Sequence, residues 1–112
     1  MERITQLARR LGQAIGEHPR AIAFREARDA FQADTGAQQL QRDYDAAATT
    51  LQAKLMQGEP LEPEEKRREA ELRGQVAGNE VLAKLVRAQA DFHELMTQVN
   101  EAIEEESGLK QS

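Results

Sequence analysis

Seven side chains recur along the C-terminal third of this chain at alternating steps of three and four: Leu82, Leu85, Gln89, Phe92, Met96, Val99 and Ile103. That alternation averages 3.5 residues, the period of a helix that presents one narrow seam to another helix. A strand is excluded, because its side chains would alternate faces every residue. The helix expected over residues 80–106 spans roughly 40 Å at 1.5 Å per residue, too long for a small globular core to cover. The seam therefore predicts an all-α fold in which this long helix lies against another long helix, one too short to cover its ends.

The rest of the chain also reads with a helical period, giving about five helices in all. Ile4, Leu7, Leu11 and Ile15 form one apolar stripe on a first helix over residues 2–15, with Gly16 as its stop. Pro19 suits the first turn of a second helix, which carries Phe24, Ala27 and Phe31 on one face. Asp34-Thr35-Gly36 breaks that pattern and offers an N-cap to a third helix over residues 37–57. Leu40, Tyr44, Ala47, Leu51 and Leu55 share one side of it. Gly58-Glu59-Pro60-Leu61-Glu62-Pro63 is the clearest break, and Pro63 can open a fourth helix reaching about residue 77. Leu72 and Val76 are its main apolar anchors, which marks it as a surface helix. Gly78-Asn79 stops it and restarts the last helix.

These elements predict one helical domain over residues 1–112: N-terminal helices over 1–33, a long antiparallel hairpin over 37–106, and a tail over 107–112. The simplest partner for the seam is the third helix, folded back across the 58–63 loop. Leu82, Leu85, Gln89, Phe92, Met96, Val99 and Ile103, with Leu40, Tyr44, Leu51 and Leu55, are then the expected interaction seam. Gln89 either fixes register within that seam or faces solvent. Of 44 apolar residues 18 are alanine, so only 26 large side chains remain for a core. That scarcity, laid out as narrow stripes on long helices, favours self-association into a dimer or a larger homo-oligomer.

Composition removes several function classes. The chain has no cysteine, which excludes disulfides, thiolate zinc sites, thiol catalysis and cysteine-ligated clusters. His18 and His93 are isolated and form no Glu-x-x-His pair of the di-iron type. Ser107 and Ser112 lie in the tail with no base to activate them, and the glycines form no phosphate-cradling loop. No catalytic, cofactor-binding or metal-ligating residue is assigned, no cofactor is implied, and an enzyme is not expected. The net charge of −5 repels nucleic acid as a whole. A basic patch could come only from Arg3, Arg9, Arg10, Arg20, Arg25 and Arg28, which no aromatic platform accompanies. RNA association through these N-terminal arginines is the alternative reading. No apolar run approaches the ~20 residues of a membrane span. The N-terminal residues lack the apolar stretch of a signal peptide, so a cytoplasmic protein is expected.

Several segments carry a family resemblance over residues 3–106. They are Leu-Ala-Arg-Arg-Leu-Gly-Gln-Ala-Ile at 7–15, Phe-Arg-Glu-Ala-Arg-Asp-Ala-Phe at 24–31, Leu-Met-Gln-Gly-Glu-Pro-Leu at 55–61 and Gln-Val-Asn-Glu-Ala-Ile at 98–103. In these the chain resembles the bacterial YlbF/YmcA/YheA family of control-of-competence regulators. The resemblance implies an all-α protein with a long helical hairpin, tending to dimerise, and a regulatory or adaptor role. It also implies heteromeric protein partners, in complexes that influence competence, biofilm formation and mRNA maturation. Some subunits of those complexes hold iron–sulfur clusters through cysteines, which this chain does not have.

Overall fold

The computed structural model describes residues 1–109, and over these the chain forms five α-helices and no strand. They are α1 (Glu2–Glu17), α2 (Pro19–Ala33), α3 (Thr35–Met56), α4 (Pro63–Gly78) and α5 (Glu80–Ser107). The all-α expectation holds, and each helix lies where its periodicity placed it. Of the expected tail, residues 110–112, including Ser112, lie outside the described residues.

Single residues separate most of these helices, so each junction is made by local chemistry. Helix α1 runs through Gly16 and stops at His18, whose backbone is extended (φ −69°, ψ 140°). The stop belongs to Pro19, which disfavours helical backbone at the residue before it. The His18 Nδ1 accepts from the Arg20 N–H at 3.0 Å, capping the start of α2. Arg25 Nη2 donates to the Gly16 carbonyl at 2.8 Å, satisfying an acceptor left open where α1 ends.

Between α2 and α3, Asp34 is extended (φ −108°, ψ 95°) and its carboxylate accepts from the Ala37 N–H at 2.9 Å. This is the expected N-cap. Gln38 then reaches back, its Nε2 donating to the Phe31 and Gln32 carbonyls, each at 2.8 Å. At α4–α5, Asn79 Oδ1 accepts from the Leu82 N–H at 3.0 Å, so one residue both ends a helix and starts the next.

The end of α3 is a Schellman motif. Gly58 takes the left-handed conformation (φ +71°), the Glu59 N–H donates to the Lys54 carbonyl at 2.9 Å, and the Gly58 N–H donates to Leu55 at 3.2 Å. Pro63 opens α4, and the Glu65 carboxylate folds back to accept from the Glu62 N–H at 3.2 Å. Glu64 and Glu65 complement the positive end of the helix dipole there.

The 58–63 loop thus joins an antiparallel hairpin of α3 and α4. Lys54 near the end of α3 meets Glu65 in the first turn of α4, and Ala47 and Leu51 share a cleft with Arg68 one turn further on. The helix that returns along α3 from this loop is α4. The Lys54–Glu65 ion pair ties α4 to α3, despite the polar sequence of α4. Leu72, 3% exposed, is the buried residue of α4.

The chain divides into two compact units. One comprises Asp29–Lys84; the other comprises Met1–Arg28 and the chain from Leu85 onward. In the first, Ala37, Leu72 and Leu82 are buried; in the second, Ala21 and Ala88. Alanines at three of these five positions let helix backbones approach closely. The second unit is also held by Phe24 of α2 and Phe92 of α5, with ring centroids 5.4 Å apart. That separation is within the range of favourable tilted aromatic pairs. Arg20 of α2 spans to α5, donating to the Asp91 carbonyl at 3.3 Å with Glu94 Oε2 at 3.8 Å.

Candidate interaction surfaces

Helix α1 is the most strongly amphipathic of the five, and none of its residues is buried. Exposure rises along its stripe toward the N-terminus: Ile15 is half-buried, Leu11 37% exposed, Leu7 51% and Ile4 67%. An amphipathic helix normally turns such a stripe to a core. Arg3 and Arg10, seven residues apart, lie along one flank. Ala8 and Gly12 leave the other flank low, and a Cβ added at Gly12 would meet open space.

On α5, the seam residues differ in environment. Leu82 is buried; Leu85, Phe92, Met96 and Val99 are half-buried; Gln89 and Ile103 are exposed. From Asn100 to Leu109 every residue is exposed. Ile103, half accessible, is flanked by Glu104 and Glu106, whose carboxylates make no ion pair among the described residues. A shallow groove of about 430 Å³ runs along α5, lined by Phe24, Val86, Gln89, Phe92, His93 and Met96. The structure places Gln89 at the surface on the wall of this groove. On α3, Leu40, Tyr44 and Leu51 are half-buried and Leu55 is exposed.

The hairpin carries its own cleft of about 340 Å³, between Ala47, Thr50 and Leu51 on α3 and Glu64, Glu65 and Arg68 on α4. At its end the Lys54 ammonium donates to Glu65 Oε1 at 2.6 Å. This hydrogen bond, before any other influence, holds the Glu65 carboxyl below the usual carboxylate range, with the Glu62 N–H adding to it. The same bond raises the Lys54 ammonium above its ordinary value. Glu65 thereby caps α4 and clamps it to α3 with one carboxylate.

The six N-terminal arginines do not form one patch. Arg20 and Arg25 are engaged with backbone carbonyls as described, and Arg28 lies over the Phe24 ring at 5.8 Å. Arg3, Arg9 and Arg10 make no ion pair among the described residues. Among the described residues no group of three or more His, Asp or Glu side chains could hold a metal ion.

Sequence reasoning overlooked His18, Gln38 and the Lys54–Glu65 pair, each acting on a helix terminus. The last had a visible signal, a glutamate three residues after the residue preceding Pro63, which is capping-box spacing. The other two are contacts between a side chain and a backbone atom, with no spacing rule to announce them.

A family model for the control of competence regulator ComK, YlbF/YmcA, matches residues 4–106. The chain belongs to the YlbF/YmcA family. The match runs from the exposed stripe of α1 to the exposed end of α5 and takes in both compact units. Members of the YlbF/YmcA family are regulators of competence, so a regulatory role is the functional class of this chain. No curated protein matches it. No helix among the described residues is long and apolar enough to cross a membrane.

Proposed function

We propose that this YlbF/YmcA-family protein is a non-enzymatic regulatory adaptor that works in the cytoplasm by protein–protein contact and self-association. The observation that carries this reading is α1, a sixteen-residue amphipathic helix whose apolar stripe is not buried in its own chain. Exposed apolar faces rimmed by charge are a signature of association surfaces. Ile103, Leu55 and Met56 add further exposed apolar side chains on α5 and at the end of α3. The coiled-coil spacing of residues 82–103 supports the same reading.

The RNA-binding alternative is weaker, because Arg20, Arg25 and Arg28 are occupied within the chain. Three remaining arginines on one helix neutralise too few phosphates for tight binding at ordinary salt.

Light scattering coupled to size exclusion, across the micromolar range, tests the self-association. A mass of 25 kDa or more, twice the 12.5 kDa chain, is the expected result. A monomer at every concentration would remove the self-association from this reading.

A further inference from the structure

We infer that two copies of this chain join by exchanging contacts between the apolar stripe of α1 on one and the exposed end of α5 on the other. This inference rests on the self-association proposed above and names its surface. The two patches are chemically complementary. Ile4, Leu7 and Leu11 form an apolar line flanked by Arg3 and Arg10. Ile103 is a half-accessible apolar side chain flanked, one residue after it and one turn on, by Glu104 and Glu106. None of these four charges has an ion-pair partner in its own chain among the described residues. Both patches belong to the same compact unit, so a partner copy presents both at once.

The charges also choose between pairings. Antiparallel stripe against stripe would bring Arg3 of one copy near Arg10 of the other, and α5 end against α5 end would oppose glutamates. Like charges so placed are destabilising. Stripe against α5 end sets arginine opposite glutamate, and a two-fold axis makes the contact twice, as a closed dimer requires. Ala8 and Gly12, on the flank away from the arginines, allow the partner helix a close approach.

Charge reversal tests the inference with two variants of the full chain. One carries Arg3→Glu with Arg10→Glu; the other carries Glu104→Arg with Glu106→Arg. Each reversed surface opposes like charge in its own homodimer. Each variant alone is therefore expected to dissociate at least tenfold more readily than wild type, while circular dichroism reports unchanged helix content.

Mixing the two variants is expected to restore association as a heterodimer. There, acidic α1 meets basic α5, and native α1 of the other chain meets native α5. Association of each variant at wild-type strength would overturn this surface while leaving self-association standing. Rescue only when all four substitutions share one chain, with none on mixing, would also overturn it, because the contact would then be intramolecular. A monomeric wild-type protein would remove the underlying self-association instead.

Discussion

Replacing Leu72 by alanine tests whether α4 owes its place to one side chain. Leu72 is 3% exposed and is the buried residue of an otherwise polar helix. The substitution removes three methylene equivalents at about 0.8 kcal/mol each, near 2.4 kcal/mol of transfer free energy. A residual cavity adds to this, and buried Leu→Ala changes generally cost about 2–5 kcal/mol. The greater helix propensity of alanine returns only a few tenths of a kcal/mol. A loss of about 3 kcal/mol is therefore expected.

Leu55→Ala makes the same chemical change in the same compact unit, at a side chain 65% exposed. Only about a third of the transfer term is at stake and no cavity forms, so the loss should stay below about 1 kcal/mol. Urea denaturation followed by far-UV circular dichroism, with the slope m shared among the three proteins, measures both values. At roughly 4 °C per kcal/mol for a chain of this size, the melting temperatures should fall by about 12 °C and by less than about 4 °C. Equal losses at the two sites would refute the assignment of Leu72 as the anchor of the hairpin.

Two further outcomes follow from the helix junctions. Glu65 has a depressed carboxyl, so its bond to Lys54 contributes stability above the ordinary value of 4.5 and loses it as pH falls below that value. The raised ammonium of Lys54 keeps the contribution up to the ordinary value of 10.5 and loses it as pH rises further. Thermal melts against pH should therefore show Glu65→Gln flattening the acid limb below pH 4.5, and identical acid limbs would dismiss the clamp. Asp34→Ala removes the acceptor for the Ala37 N–H and should cost about 1 kcal/mol in chemical denaturation, with Asp34→Asn near wild type. Equal losses in the two variants would show that the cap is not what Asp34 supplies.

The periodicities of residues 4–15, 40–55 and 82–103 were enough to place α1, α3 and α5, because a helix announces itself every three or four residues. Pro19, Asp34, Pro63 and Asn79 supplied the boundaries. Gly16 misled by two residues, since the stop there is steric pressure from Pro19 and not a left-handed glycine. Gly58 was the true left-handed stop. The packing of α4 on α3 was not legible for a different reason. The apolar content of α4 is low, but pairing depends on which single side chains meet. The capping-box spacing marks Glu65 as a cap, but its bond to Lys54 acts across space, as does the burial of Leu72. On the surfaces, the stripe of α1 was plain in the sequence, but only the structure shows that it stays uncovered. Gln89, balanced between two readings by its spacing, is exposed in the single chain.

The division of the chain bears on the order in which it can close. The α3–α4 hairpin joins Lys54 to Glu65, eleven positions apart, whereas the other unit joins segments separated by the whole of Asp29–Lys84. With closure entropy growing as (3/2)RT ln n, bridging that longer interval costs roughly 1.4 kcal/mol more than bridging the hairpin. The hairpin is also the segment with a Schellman stop, a proline start and a capping carboxylate, all formed from neighbouring residues. It is thus the part of the molecule whose contacts close over the shorter stretch of chain.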